Sequence, residues 1–403
     1  MHRKKITVLS HFGWGMYRYR LEFLRELVRD GWDVTAIADW NDGDYEARVR
    51  AEGVATLPIR LTRSRFDVFS DIRTVMQLVR IYRCIKPDVA QHFHTRPMIL
   101  GAIAARLAAV PRIVNCVTGL GMLFSGELNG LRRLSLPLYN LAFGGDVVAV
   151  FQNPADRDRM IAGNIVKHDR AFLVPGSGID TQALKPDPDL APEKRDVVVM
   201  ASRMIWSKGV RAFVEAAQLL KPRFPKIRFI LAGGLSSAYG MHASDEVDER
   251  WLQHAAAQGA VEWTGHLAPA AVEDLFRRAA AVVLPSFYPE GIPRCLIEGA
   301  AAGAPIVTTD RPGCRDAVVP GVSGLLCPPQ SSQQLADAIA TILSDPATMV
   351  RMSAASRRFA VETFDVRSIA AAFLAIYREA PPGAPRRQAA ADGDKKEACL
   401  DVR

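Results

Sequence analysis

Two glutamates, Glu290 and Glu298, stand eight positions apart in the stretch from Pro285 to Gly303, PSFYPEGIPRCLIEGAAAG. The apolar run Ala279 to Leu284 before it reads as a buried parallel strand. Pro289, Glu290 and Gly291 then make a turn. Pro293 suits the first turn of a helix over Arg294 to Ala302, which Gly303 terminates. A strand that runs straight into a helix leaves backbone N–H groups aimed at the crevice beyond its carboxyl end, where phosphates bind. Glu290 would sit at the mouth of that crevice and Glu298 about two turns into the helix, so both can face one ligand. The plainer alternative makes Glu290 an acid favoured near a helix N-terminus and Glu298 a solvated helix residue.

A second constellation lies upstream in SRMIWSKGVRAF. Arg203 falls at a strand end and Lys208 at the start of the next helix. A planar fork and a mobile point charge suit the two phosphates of a nucleoside diphosphate. Two cations and helix-start amides can hold the charge that grows on a leaving diphosphate. Positive charge is unfavourable at a helix N-terminus unless an anion compensates it, which argues against two ordinary surface bases. The triplets Asp42-Gly-Asp44, Asp156-Arg-Asp158, Asp187-Pro-Asp189 and Asp392-Gly-Asp394 could hold a divalent cation. Each falls where Asp is ordinary capping or turn chemistry, so no metal site is expected. His92 and His94 alternate on a strand and would share one face as polar lining, without a third metal ligand nearby.

These residues need elements to carry them. Lys5 to Ser10 begins as a strand, the loop His11 to Met16 contains Gly13, and Tyr17 to Arg29 is an amphipathic helix; GWG falls short of the full GxGxxG fingerprint. Strands at 32–38, 55–59, 88–93, 112–118 and 146–152 alternate with helices, and the βαβα rhythm means a doubly wound parallel sheet. In the segment Arg60 to Lys86, Ile72, Val75, Met76, Val79, Tyr82 and Ile85 make a stripe expected to pack inward, with a solvated basic back. A membrane-facing basic helix is the other reading. The Pro-rich DPDLAPEKRD is a joint, after which the rhythm restarts. The expected organisation is a Rossmann-like domain over 1–184, a linker over 185–195, a second Rossmann-like domain over 196–363 facing the first across a cleft, a closing helix at 364–380 that crosses back, and a disordered tail at 381–403.

At 403 residues the chain accommodates two such cores. Of its net charge of +8, most lies in residues 1–180, with 25 Lys+Arg against 18 Asp+Glu. That imbalance fits an anionic partner such as a membrane surface or a pyrophosphate. No aromatic RNA-binding run and no Ser/His/Asp arrangement is present. Six cysteines without paired spacing suggest reduced thiols. No apolar run is long enough for a transmembrane helix, so membrane contact would be peripheral.

From Lys5 to about Glu379 the sequence resembles the family-4 retaining glycosyltransferases of the GT-B fold. The resemblance rests on the Glu290/Glu298 pair in PEGIPRCLIEGAAAG, on Arg203 and Lys208, and on SGLLCPP. It implies that Glu290 touches donor sugar hydroxyls, Glu298 holds the ribose, and the backbone of Gly291, Ile292, Pro293 and Leu296 meets sugar and phosphates. His266 and Leu267 would lie by the base, and Gly13 would approach the donor. The stretches YRYRLEFLREL, HFHTRP, NCVTGLGMLF, VFQNPADRDRMI and PGSGID resemble the narrower branch that builds lipid-linked oligosaccharides. That branch implies UDP-sugar donors, often N-acetylhexosamines, and a polyprenyl-diphosphate saccharide acceptor at an anionic membrane surface. Candidate acceptor contacts are His11, Arg18, Arg20, Arg63, Arg65, His94, Thr118 and Gly119.

The sequence departs from the family at Thr118, where many members have a histidine. No side-chain base is therefore expected in the first domain, which fits a same-face displacement in which the leaving phosphate takes the acceptor proton. The expected protein is a peripheral enzyme of the cytoplasmic membrane face, without metal or cofactor. Two other readings are a sugar-nucleotide 2-epimerase, active without acceptor, and a non-catalytic scaffold of a glycan assembly complex.

Overall fold

The computed structural model describes residues 3–41, 43–61, 67–120, 137–236 and 245–379. The chain forms two compact units. Of the described residues, the first holds those up to 118, 137–174 and 369–379, and the second holds 119–120, 175–236 and 245–368. The tail expected to be disordered lies outside the described residues.

In the first unit the strands are β1 (Lys5–Phe12), β2 (Asp33–Asp39), β3 (Ala55–Pro58), β4 (Val89–Phe93), β5 (Arg112–Val117), β6 (Val148–Phe151) and β7 (Ala171–Leu173). The helices between them include α1 (Gly13–Arg29), α2 (Tyr45–Arg50), α3 (Val68–Ile85), α4 (Thr95–Leu107) and α5 (Pro154–Ala162). The sheet is parallel, in the order β3-β2-β1-β4-β5-β6-β7. Strand order reverses direction between β1 and β4. The crevice at the carboxyl ends of those strands is where an open α/β sheet binds ligands.

The structure corrects three local expectations here. His11 and Phe12 belong to β1, whose pairing with β2 shifts register between Leu9 and Phe12, and α1 begins at once at Gly13. The short strand β7 adds an edge where the sequence suggested only the end of the unit. On α3 the inward side is Thr74, Leu78, Val79, Ile81 and Tyr82, whereas Ile72 and Met76 are exposed. The expected stripe reaches too far toward the N-terminus, because the buried positions begin at Thr74 and lie mostly in the later turns, which are the ones that cover the core.

The second unit contains β8 (Val197–Ala201), α6 (Val210–Leu220), β9 (Arg228–Ala232), α7 (Glu249–Ala257), β10 (Glu262–Trp263), α8 (Pro269–Arg277), β11 (Ala279–Leu284), α9 (Arg294–Ala301), β12 (Ile306–Thr309), β13 (Gly324–Cys327), α10 (Ser332–Ser344) and α11 (Pro346–Phe364). Its parallel sheet runs β10-β9-β8-β11-β12-β13, with the reversal between β8 and β11. Every residue of β11 is buried, as the unbroken apolar run requires of a central strand covered on both faces.

The last helix, α12 (Val366–Arg378), brings the chain back to the first unit from Ile369 onward. There Phe373 packs 5.1 Å from Phe23, and Tyr377 donates to Gln91 at 2.9 Å. Cys116, Cys295, Cys314 and Cys327 are free thiols, as the spacing suggested. Cys84 departs from that reading, because it is disulfide-bonded.

Candidate active site

Lys208 and Glu290 meet because their strands are neighbours. Beyond β8 the chain passes Arg203 and closes a 3-10 turn at Trp206–Lys208, and Gly209 then starts α6 with φ 85°. A side chain at 209 would lie 2.2 Å from the carbonyl oxygen of Pro285, so only glycine lets this turn seat against the end of β11. The loop after β11 is fastened to the same turn. The amides of Phe287 and Tyr288 donate to Ser207 O at 2.9 and 3.1 Å.

The Lys208 ammonium donates to Glu290 Oε1, and both side chains are nearly buried, 13% and 12% exposed. Ser286 Oγ also donates to Glu290 Oε1, at 3.0 Å. Burial alone would lower the Lys208 pKa, but the Glu290 carboxylate outweighs it and holds the ammonium above its ordinary value; Arg203 acts the other way. Lys208 is thus a fixed cation. Burial pushes the thiols of Cys295 and Cys314 up to about 12, so they stay protonated beside the pair.

Glu298 is buried, and Arg294 Nε donates to it at 2.9 Å across one helical turn. This overturns the alternative of a solvated helix residue. Arg294 in turn donates to Gly178 O at 3.1 Å and lies 3.4 Å from Ser177 Oγ, which fixes the start of α9. Gly291, Ile292 and Pro293 are buried in the turn leading into α9, with Pro293 as its N-cap. The Leu296 amide donates to Pro293 O at 3.1 Å, so this expected phosphate donor is engaged within the chain. Exposed His266 and half-buried Leu267 follow β10, at the same carboxyl end of the sheet.

Gly119, expected among acceptor contacts of the first domain, groups with the second unit. With φ 116°, it approaches so closely that a Cβ there would stand 2.6 Å from the Gly291 nitrogen. Thr118 stays with the first unit, where His94 Nδ1 lies 3.3 Å from its hydroxyl. His94 is the N-cap of α4 at φ 71°, ψ 155°, a region populated almost entirely by glycine. That backbone turn also breaks the alternation expected of His92 and His94.

His92 is fully buried. Its Nδ1 faces Asn115 Oδ1 at 2.7 Å and its Nε2 faces the Tyr82 hydroxyl at 3.1 Å. Because the amide oxygen only accepts, Nδ1 carries the proton and Nε2 accepts from Tyr82. It is a structural histidine. Burial, together with the charges of Arg20 and His11, pushes His94 down to about 3, so it too is neutral.

His11 is the last residue but one of β1 and half-buried Arg18 lies on α1, as does buried Arg20, whose guanidinium stacks 3.7 Å from the Phe93 ring centre. Gly13 is the first residue of α1. Arg63 and Arg65 lie outside the described residues. Among the described residues there is no group of three metal-ligating side chains.

The strongest residues missed in the sequence are Arg294 and Ser286. The i,i+4 spacing of Arg294 and Glu298 on a helix was a usable signal. Nothing local marked Ser286.

Each unit is a parallel sheet with one switch point, and at that of the second unit, between β8 and β11, a lysine and a glutamate are paired, an arrangement able to meet the charge and the hydroxyls of one ligand. Residues 5–152 match the family model described as glycosyl transferase 4-like, and residues 182–359 match the one described as glycosyl transferases group 1. The chain belongs to these glycosyltransferases and has their GT-B fold. It is 25% identical over 388 residues to N,N'-diacetylbacillosaminyl-diphospho-undecaprenol alpha-1,3-N-acetylgalactosaminyltransferase of Campylobacter jejuni, covering 93% of this chain and 98% of that protein. It is also 29% identical over 252 residues to D-inositol 3-phosphate glycosyltransferase of Paenarthrobacter aurescens, covering 59% of each. Among solved structures, HepE of Anabaena in complex with UDP and glucose superposes with a TM-score of 0.74 at 20% identity, over 94% of this chain and 100% of that one. A glycosyltransferase from Rickettsia africae gives a TM-score of 0.76 at 16% identity, over 95% and 100%.

Proposed function

We propose that the chain is a retaining glycosyltransferase that moves a hexose or N-acetylhexosamine from a UDP-sugar to a polyprenyl-diphosphate-linked saccharide at the cytoplasmic face of a membrane. The observation that carries this reading is the nearly buried Lys208–Glu290 pair at the β8/β11 switch point, with Arg203 beside it. The similarity to the Campylobacter transferase over almost the whole of both chains supports the acceptor class.

Arg203 and Lys208 hold the donor diphosphate. Glu290 meets the sugar hydroxyls, and Glu298, oriented by Arg294, holds the ribose. The bond from C1 of the sugar to the β-phosphate oxygen breaks while the acceptor hydroxyl oxygen bonds to C1 on the same face. The departing phosphate oxygen takes the hydroxyl proton, and the products are the extended acceptor and UDP. In the resting protein Glu290 offsets the Lys208 charge. An arriving diphosphate takes over that role and frees a carboxylate for the sugar, so binding and positioning are coupled.

Charge stabilisation by Arg203, Lys208 and main-chain amides requires no cation, and the reaction proceeds without metal. His11, Arg18, Arg63, Arg65, His94 and Thr118 are assigned to the acceptor, with Gly13 and Gly119 as points of close backbone approach.

The test is release of UDP from a panel of UDP-sugars, with and without detergent-solubilised polyprenyl-diphosphate sugars. Acceptor-dependent release from one donor is expected. Conversion of a UDP-sugar without acceptor would identify an epimerase instead, and inhibition by EDTA that Mg²⁺ reverses would overturn the metal-free reaction.

A further inference from the structure

The Lys208 ammonium has a second neighbour besides Glu290. Its nitrogen lies over the Tyr288 ring, 5.5 Å from the ring centre, within the range of a cation–π contact. One peptide holds both residues, because the Ser207 carbonyl, bonded directly to the Lys208 nitrogen, accepts from the Tyr288 amide at 3.1 Å. That amide also donates to Ser286 Oγ at 3.2 Å, and the same hydroxyl donates to Glu290. Pro289 confines the Tyr288 backbone to extended conformations. The loop itself thus sets the ring beside the ammonium.

Core packing does not account for this ring. Tyr288 is half-buried and lies outside the apolar cluster that fills the second unit. Among the described residues its hydroxyl has no hydrogen-bond partner. What the side chain offers the ammonium is the negative face of its π-system.

We propose that the Tyr288 ring keeps the Lys208 ammonium at the donor diphosphate while Glu290 serves the sugar, which makes Tyr288 a positioning residue of the donor site. The inference rests on the assignment of Lys208 and Glu290 to the donor and deepens it by naming what holds the lysine during the exchange. A second carboxylate beside Lys208 would repel an arriving diphosphate, whereas a ring attracts the cation without carrying a full negative charge. At 5.5 Å the contact is near its outer limit of about 6 Å, because the ammonium leans on Glu290. Once Glu290 turns away, the ammonium settles on the ring face. The contact is then stronger in the donor complex than at rest, and only such a difference contributes to binding.

UDP affinity is to be measured by calorimetry on the full chain and on Tyr288→Leu, Tyr288→Phe and Lys208→Met, with thermal melting to report the integrity of each. Tyr288→Leu should bind UDP about five- to tenfold more weakly than wild type, and Tyr288→Phe, which keeps the ring, should recover that loss. Phenylalanine bearing one, two or three ring fluorines at position 288 weakens the ring face at nearly constant size. Affinity should fall about twofold with each fluorine, and the series should be flat in Lys208→Met, where no cation meets the ring.

Affinity independent of fluorine number, together with weakened binding by Lys208→Met, would overturn the role of Tyr288 and leave the donor assignment standing. A slope that persists in Lys208→Met would overturn it too, since the ring would then act on another group. Wild-type UDP binding by Lys208→Met would remove the donor assignment itself and the proposal with it.

Discussion

Lys208 and Glu290 are 82 residues apart in sequence and form a nearly dry ion pair, held in place by the seating of Gly209 against Pro285. Removing one member of such a pair strands the other. Lys208→Met should therefore cost about 1–3 kcal/mol, below the cost for a fully buried pair because both ends retain some solvent. Lys208→Met/Glu290→Gln should recover most of that loss, and neither variant should bind UDP as wild type does. Urea unfolding midpoints and calorimetry with UDP check this, and additive destabilisation would mean the two residues are not coupled.

The same pair sets an alkaline limit. The Lys208 pKa is raised in the folded chain, so its contribution to stability is complete below the ordinary value of 10.5 and is lost as pH rises through the folded value. Stability should be insensitive to this group at neutral pH and fall above about pH 10.5, with a shallower fall in Lys208→Met. An identical alkaline limb in the variant would count against the coupling.

On the acid side, burial pushes His92 down to about 4 against a weaker opposing hydrogen bond from Asn115, and His94 reaches about 3. Between these values and 6.5 the unfolded chain binds more protons than the folded one, so stability declines as pH falls through that window. His92 alone should contribute roughly 1.4 kcal/mol per pH unit. Urea midpoints for wild type and His94→Gln between about pH 7.5 and pH 4.5 test this. The variant should lose part of the slope and keep the part that belongs to His92.

The doubly wound architecture was legible because buried parallel strands announce themselves as short apolar runs, and the Glu290, Lys208 and Arg203 positions followed from what strand-to-helix turns do with charge. What escaped was set by tertiary contact. Ile72 and Met76 share the periodicity of Tyr82, and only the extent of the sheet beneath α3 decides which turns are covered. Arg294 enters the sequence reading only as the start of a helix, and His94 as a strand residue, whereas its backbone turns through a conformation that no pattern of side chains encodes. Gly119 sat in a motif that suggested the first unit, whereas its contacts belong with Gly291.

Gly313 marks a second place where backbone meets backbone. With φ 82°, a Cβ there would lie 1.6 Å from the Gly291 oxygen, and the Gly313 amide donates to Asp316 at 2.8 Å. Gly313→Ala must displace the turn that carries Glu290. It should cost more than the roughly 1 kcal/mol of an ordinary glycine replacement and weaken UDP binding, whereas Gly321→Ala, with open space around its Cβ position, should leave UDP binding unchanged. Comparable UDP affinity in the two variants would show that the turn tolerates the shift.

His94 provides the sharpest separation of stability from activity. A non-glycine residue at φ 71°, ψ 155° stores about 1–3 kcal/mol of strain. His94→Gly releases that strain and loses only the contacts of a half-buried ring, so its unfolding midpoint should equal or exceed that of wild type. If the imidazole contacts the acceptor, the same variant should turn over about tenfold or more slowly with saturating donor while its UDP affinity stays unchanged. His94→Ala keeps a Cβ in the strained backbone and loses the ring, so it should be both slower and less stable than His94→Gly. A destabilised but fully active glycine variant would mean that the strain is structural and that the acceptor is held elsewhere.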